Sequence, residues 1–498
     1  MPARHSDSLD AHARQHARQL LSASMAWMDH YWDDALGLLR SPGDMADPHH
    51  PQPMLHHMVR ESGWYALGLF IRNGNGDVGR AIHALDAILA YQFDEPDKVY
   101  HGTFFRAPEE AHPPEPAVEW RHYDPNWREF IITTIAIILS EYEQRLPRPL
   151  VDKIDIAIRK AVEGTLKRGL AKRGLAATYT NIALMNAFML CFAGDRLKEP
   201  AWVEQGEAMA QEIYRRFKLH DTFEEYNSPT YYGPDLYALA EWRVYGSTPR
   251  LRQLGAEMEA LLWSDIARFY HAGLKNLCGP FDRSYGMDMR HYVAVLGEWI
   301  WLVTGHAQAP FPSLEQPFAH AGDVCFAPCA AILGAQVPSE AQPHFFAFQG
   351  ERQVERVIAD SPKRVATAWL APGIMIGAED TSRAKKGYAQ FHPGTIYWKI
   401  GADAVGWIRL MHAEPLDARA SANRLDITGT DEICFQISAP GVQTKALQSN
   451  HWQLPGLDVQ IEANVSLAHI EHPSHLIEVR YRAGAGQSIS CALITRLD

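Results

Sequence analysis

Phe130–Leu139, FIITTIAIIL, decides the fold of the first half of this chain. The run carries no charge and no Gly or Pro. Its flanks, Asp124-Pro125-Asn126-Trp127-Arg128-Glu129 before and Ser140-Glu141-Tyr142 after, are polar. A helix apolar on every side is wrapped by other elements rather than laid on a surface. Tyr292–Val303, YVAVLGEWIWLV, is also apolar nearly all round, interrupted only by Gly297 and Glu298. Val151–Arg168, VDKIDIAIRKAVEGTLKR, instead has apolar residues at three-and-four spacing and a charged opposite face, the signature of an outer helix.

Working outward, residues 1–305 read as helices throughout. QLLSASMAWMDHYWDDALGLL, ESGWYALGLFIR, TNIALMNAFMLCFAG, AWVEQGEAMAQEIYRRFKL, DLYALAEWRVYG and RLRQLGAEMEALLWSDIARFYH are further members. Inner and outer helices alternating through short loops describe an (α/α) toroid, with a plain bundle or a solenoid as alternatives. Residues 306–340 contain AQAPFPSLEQPFAHAG and read as a linker. From 341 to 498 the texture changes to short β-branched and aromatic runs. HFFAFQG, RQVERVIA, RVATAWLA, IMIGAED, GTIYWKIG, AVGWIRLMHA, EICFQIS, LDVQIEANVSL, HLIEVRYRA and SISCALITRL are separated by turn residues. The expected architecture is a helical toroid followed by an antiparallel β-sandwich.

Polar-aromatic clusters precede the buried helices. Trp64, Trp127, Asn181, Tyr231 and Tyr285 mark them, at intervals of 63, 54, 50 and 54 residues. In a toroid such helix mouths converge on one cleft. Helix caps rich in Asn, Asp and Ser are the plainer reading, but caps do not call for Trp, Tyr and Arg each time.

Composition narrows the function. Net charge is −12 and no Lys/Arg block occurs, which argues against a nucleic-acid partner. No apolar run is long enough to span a bilayer. The N-terminus, MPARHSDSLDAHARQHARQL, lacks an apolar signal core, so a cytoplasmic location is expected. Six cysteines, of which only Cys325 and Cys329 are close, suit buried thiols in a reducing compartment. No HExxH, paired CxxC, Walker loop or GxGxxG after a strand is present. His49-His50 and His56-His57 lie in a Pro/His loop. No metal and no cofactor is expected.

The chemistry-bearing residues are aromatic and amide-rich. Phe223–Ala240, FEEYNSPTYYGPDLYALA, sets Glu225, Asn227, Tyr231 and Tyr232 at a helix mouth. A tyrosine whose pKa a neighbouring cation lowers can take a proton from carbon, and a second can protonate a leaving oxygen. The side-chain amide of Asn181 can blunt a uronate carboxylate and so ease loss of the C5 proton. A tyrosine-rich helix entry that merely packs a loop would look similar. Gly279–Val295, GPFDRSYGMDMRHYVAV, adds Arg283, Tyr285, Arg290 and His291. Guanidinium forks suit a substrate carboxylate and His291 suits proton transfer, unless Asp282 and Asp288 simply pair with the arginines. Tyr388–Ile400, YAQFHPGTIYWKI, adds His392, which is either a contributor to the cleft or a structural turn histidine. Arg60, His101, Phe104, Asp124, Asn126 and Trp127 complete the candidates, as sugar-hydroxyl partners and stacking faces or as core.

This domain order and these motifs resemble the (α/α)-toroid polysaccharide lyases with a C-terminal antiparallel β-sheet domain, the heparinase and oligoalginate-lyase group. The resemblance rests on Asp221, Glu225, Pro229, Tyr231 and Tyr232 before one inner helix and on Thr180-Asn181 at another. The histidine that follows the Asn in that group is Ile182 here, and the Asp-Glu-Pro-Tyr spacing is stretched by about one residue. The resemblance implies β-elimination of a uronate-containing oligosaccharide or polysaccharide. Tyr231 or Tyr232 would be the acid/base, Asn181 the carboxylate neutraliser, and His392 a cleft contributor. Lyases that cleave rhamnose from glucuronate are one such group. Two other classes fit parts of the pattern. A glycoside hydrolase would use Glu225 with Asp124 or Asp235. A non-catalytic carbohydrate-binding protein would need the aromatics alone.

Overall fold

Every residue from Trp127 to Leu139 is buried, as the uninterrupted apolar run requires. The structure is a computed structural model that describes residues 11–42, 56–170, 175–316, 318–380, 390–411, 416–471 and 476–497. Two compact units emerge from its contacts. The first comprises Met1–Arg216, Tyr232–Ala260 and His291–Gln336, and the second Phe217–Tyr231, Leu261–Arg290 and Val337–Asp498.

The first unit is helical. Its inner helices are α1 (Ala11–Tyr31), α2 (Val59–Arg72), α4 (Trp127–Tyr142), α6 (Thr180–Leu197), α8 (Tyr232–Tyr245) and α10 (Val295–Thr304). Each touches the next in that order, and α10 returns to α1, so the ring closes. Outside it, α3 (Asp77–Ala90) packs on α2, and α5 (Arg148–Leu170) on α4 and α6. Two glycines let the remaining outer helices come close. Gly206 of α7 (Pro200–His220) would put a Cβ 2.8 Å from the Ala187 carbonyl of α6. Gly255 of α9 (Pro249–Phe269) would put one 2.6 Å from Trp242 Cβ of α8. The double ring is an (α/α) toroid. A short helix, α11 (Ala327–Leu333), touches α1, α2, α8 and α10 and so fills the ring's interior. Of the segment 306–340, residues to Gln336 belong to this unit and include α11.

The second unit is built on an antiparallel β-sandwich. Its strands are β1 (Arg352–Asp360), β2 (Lys363–Ala371), β3 (Ile374–Asp380), β4 (Gly394–Ile400), β5 (Ala404–Met411), β6 (Leu416–Ser421), β7 (Arg424–Thr430), β8 (Glu432–Ser438), β9 (His451–Leu454), β10 (Leu457–Ala463), β11 (Leu467–Glu471), β12 (Ile477–Arg482) and β13 (Ser488–Leu497). One sheet runs β11-β12-β8-β5-β4-β3-β2-β1 and the other β6-β7-β13-β10-β9. Between them lies an apolar core that includes Trp398, Phe435, Trp452 and Tyr481. β10 alternates buried and exposed residues, as a strand with one wet face does. β2 and β3 are buried almost throughout, because their outer face is covered too. Gly377 of β3 meets the Gly279 backbone so closely that an added Cβ would stand 1.8 Å from the Gly279 carbonyl oxygen. Loop 278–290 therefore lies flat on the sheet.

Two local expectations are corrected. The helix read across Gln19–Leu39 ends at Tyr31. Asp33 Oδ1 accepts the Ala35 and Leu36 amides at 3.0 and 3.3 Å, which turns the chain into a short ladder pairing Trp32 with Leu39. HFFAFQG is not a strand. Pro343–Phe346 makes one helical turn with Pro in its first turn, and Phe345 stacks edge-on to Trp263 at 5.3 Å. β6, β7, β9 and β11 were not foreseen; in β6 and β7 outward Asp417, Arg419 and Asp426 dilute the apolar pattern.

Candidate active site

In the second unit, three segments far apart in sequence are laced together by backbone and amide groups. Asn227, at φ 50, gives its side-chain amide to the carbonyls of Cys278 and Pro280 at 2.7 and 2.8 Å. Asp282 N–H reaches Tyr226 O at 3.0 Å. Ser228 Oγ donates to Arg283 O at 2.5 Å and accepts from Tyr231 N at 2.9 Å. Tyr285 N donates to Thr230 Oγ1 at 3.2 Å. From the sandwich, His392 and Phe281 exchange both backbone bonds at 2.9 and 3.0 Å, and Gln390 O accepts Ser284 N at 2.9 Å.

This lacing places three side chains around one guanidinium, and a fourth, Tyr285, against one of them. Arg283 Nη1 donates to Glu225 Oε1 at 2.6 Å, and its Nε to Gln390 Oε1 at 3.0 Å. Its Nη2 donates to Tyr231 Oη at 2.5 Å. The Tyr231 and Tyr285 hydroxyls lie 2.5 Å apart, within reach for either to donate to the other. Arg283 Cζ also stands 3.7 Å over the Tyr231 ring. Glu225 and Gln390 are buried, whereas Arg283, Tyr231 and Tyr285 are half-buried. The two tyrosines therefore sit at the half-buried edge of a buried, charge-balanced platform. A cation at Tyr231 Oη favours negative charge on that oxygen.

The first unit gathers a different set. Arg60, in the first turn of α2, lies 4.7 Å from the Trp64 ring and 5.1 Å from both Trp127 and Phe130. Glu61 Oε1 accepts its Nη2 at 2.5 Å. Burial opposes the Arg60 charge, but Glu61, Asp323 and Asp124 outweigh it and hold the group protonated more firmly than usual. Burial pushes the Asp323 carboxyl up to about 7, against the pull of Arg60 and aided by Glu61. Asn126 is engaged at both ends: its Nδ2 donates to Tyr179 Oη at 2.9 Å and its Oδ1 accepts Arg168 Nη1 at 2.8 Å. Burial also raises Glu129, which accepts from Thr165 Oγ1 at 2.9 Å.

The structure separates the sequence candidates. Tyr231, Tyr285, Arg283 and Glu225 come together. Tyr232 opens α8 and is 0% exposed, so of the adjacent pair it is Tyr231 that faces outward. Asn227 serves the loop carbonyls rather than a ligand. His392 is fully buried and donates through Nε2 to the Ser284 carbonyl at 3.3 Å. Arg290 is held by Asp288 at 2.6 Å and by the Asp403 carbonyl at 2.8 Å, the paired-loop reading. Asp282 pairs with Arg364. In the first unit, His291 is exposed and Asn181 is 1% exposed near the start of α6. His101 is buried, accepting Glu95 N–H at 3.1 Å and facing Glu163 at 3.4 Å. Phe104 and Asp235 are fully buried. His49, His50 and Tyr388 lie outside the described residues. Gln390 and Arg364 were missed. Gln390 stands in the quoted Tyr388–Ile400 stretch, but an amide beside a histidine carries no signal of its own. Among the described residues no group of three or more His, Cys, Asp or Glu is arranged to hold a metal ion, and no helix is long and apolar enough to cross a membrane. The six cysteines are free and buried.

The chain belongs to the family described as "Domain of unknown function (DUF8769)", whose model matches residues 18–335. A second model, "Domain of unknown function (DUF8770)", matches residues 350–485. No curated protein matches the sequence. Among solved structures the chain is similar to heparinase III, with TM-score 0.48 and 9% identity over 98% of this chain and 85% of that one. It is similar to the Streptomyces coelicolor A3 chondroitin AC lyase in complex with chondroitin sulphate, with TM-score 0.43 and 10% identity over 99% and 81%. It is also similar to the heparan sulfate lyase HepC from Pedobacter heparinus, with TM-score 0.34 and 9% identity over 97% and 88%.

Proposed function

We propose that this protein is a lyase that cleaves the glycosidic bond at C4 of a uronic acid, of glucuronate type, in an acidic oligosaccharide or polysaccharide. The observation that carries the reading is the Arg283–Tyr231–Tyr285 chain, with both hydroxyl contacts at 2.5 Å. Tyr231 as phenolate takes the C5 proton. The C5–H electrons become the C4–C5 double bond, and the C4–O bond breaks toward the leaving oxygen. Tyr285 supplies the proton that this oxygen needs, and the shared hydrogen bond returns the proton from Tyr231 to Tyr285. No water enters as nucleophile and nothing is oxidised. Glu225 balances Arg283, so the guanidinium stabilises negative charge at Tyr231 without leaving the platform cationic.

The test is incubation with a panel of uronate-containing glycans while the ultraviolet absorbance of the unsaturated uronate is followed. Absorbance should rise with the wild-type protein and fall by about 10²- to 10⁴-fold in rate in Tyr231→Phe, the range for loss of a general acid/base. New reducing ends without that absorbance would overturn the lyase reading in favour of hydrolysis through carboxylates. Against that outcome stands Glu225, whose Oε1 is committed to Arg283.

A further inference from the structure

Arg364 lies on β2, 4% exposed. Its guanidinium contacts three partners at once. Nε donates to Glu379 Oε1 at 2.8 Å, Nη2 to Asp282 Oδ1 at 3.0 Å, and Nη1 to the Glu224 carbonyl at 2.7 Å. Two of these acceptors sit one residue before the Arg283–Glu225 ion pair: Asp282 precedes Arg283, and Glu224 precedes Glu225. A single buried fork thus holds the Glu224 backbone carbonyl and the Asp282 carboxylate, one on each side of that pair. Gln390, also 4% exposed, closes the arrangement. Its side-chain oxygen receives Arg283 Nε and its carbonyl receives Ser284 N–H.

We infer that Arg364 and Gln390 are positioning residues, whose task is to aim Arg283 Nη2 at Tyr231 Oη and so set the charge on the Tyr231–Tyr285 pair. Arg283 has more ways to lie than one: a long side chain at an accessible edge keeps its rotamers unless its donors are claimed. Gln390 claims Nε and fixes the plane of the fork. Glu225, held through Glu224, claims Nη1. Nη2 is then left facing Tyr231. The planar geometry matters, because an ammonium cannot serve three acceptors in the directions that a guanidinium does. Through Arg364 the sandwich acts on the proton-transfer groups without touching them.

This inference rests on the proposed role of Tyr231, and its test separates the two. The variants are Gln390→Met and Arg364→Lys. The Lys variant keeps the charge between Asp282 and Glu379 and so avoids an unpaired buried carboxylate. The first readout needs no substrate. Phenolate absorbance is titrated against pH in each variant and in Tyr231→Phe/Tyr285→Phe, and the difference isolates the coupled tyrosine pair. Its phenolate should form about half a pH unit or more higher in both variants than in wild type, because the guanidinium no longer points steadily at the oxygen. The second readout is turnover on whichever glycan gives unsaturated product. There kcat should fall about 10- to 100-fold, the cost of a small misplacement of reacting groups, with KM within about twofold because no substrate contact is lost. The acid limb of the rate profile should move to higher pH by the same amount as the titration. Circular dichroism confirms that the variants are folded; if Arg364→Lys is not, Gln390→Met decides. Titrations superposable on wild type would overturn the inference and leave both residues as scaffold. A shifted titration with no unsaturated product from any glycan would sustain the positioning role and overturn the lyase reading.

Discussion

A single residue step separates Tyr231 from Tyr232, and their fates are opposite. Tyr232 begins α8 and turns its ring into the core, while Tyr231, one position earlier, keeps its hydroxyl on Arg283 and Tyr285. The sequence brought both to a helix mouth. Which of them faces outward depends on the rotation of the first helical turn, and one-residue precision at helix ends is beyond pattern reading. Arg283 was legible as a cation, but its partner was not: Glu225 lies 58 residues away in the chain. In the first unit, Asp323 gives a pH prediction. Burial pushes its carboxyl up to about 7 in the folded protein, against about 3.8 for an ordinary aspartate. Between those values the unfolded chain binds fewer protons than the folded one, so stability falls as pH rises from about 4 to about 7. Glu298, fully buried and raised well above its ordinary value by burial first and Asp323 second, acts in the same direction. Asp323→Asn should lose less stability than wild type across that window. Urea unfolding at pH 5 and pH 7.5 checks this, and parallel losses in the two proteins would refute it.

Helices with no polar face were the most legible elements. The apolar runs in α4 and α10 could only be interior, and the charged stripe of α5 could only be exterior. What stayed hidden were elements whose ends are set by side-chain hydrogen bonds, such as the Asp33 turn that stops α1. Strands with polar outer faces, such as β6, were hidden too, because two outward charges, Asp417 and Arg419, in six residues resemble loop composition. The inner–outer contact itself depends on missing side chains. A methyl group at Gly255 would meet Trp242 Cβ, Leu239 O and Arg243 N, all within 2.8 Å. Gly255→Ala should therefore destabilise the first unit by about 1–3 kcal/mol, the range for overpacking, despite alanine's better helix propensity. A thermal melt with an unchanged or raised midpoint would show that α9 can shift outward at no cost.

At the scale of the molecule, order along the chain and membership of a unit do not coincide. The sequence showed helices first and strands after. It did not show that Phe217–Tyr231 and Leu261–Arg290 join the strand-rich unit, because bonds such as Glu224 to Arg364, 140 residues apart, leave no local trace. It follows that the β region is not self-sufficient. A chain restricted to residues 341–498 would expose the outer face of β2 and β3, which the 278–290 loop covers at Gly377. Such a chain should aggregate on expression, as large exposed apolar sheet faces do. A monodisperse, folded product would contradict the dependence.

Arg364 also has a consequence in time. Synthesis proceeds from the N-terminus, and domains generally fold as they emerge. Glu225 and Tyr231 leave the ribosome with the helices, and Arg283 some fifty residues later, but the fork that anchors their loops comes later still, and Gln390 last. Tyr231 thus waits without its anchored neighbours through most of translation. A chain cut short anywhere before residue 390 would be born without the proposed site assembled, however complete its ring of helices.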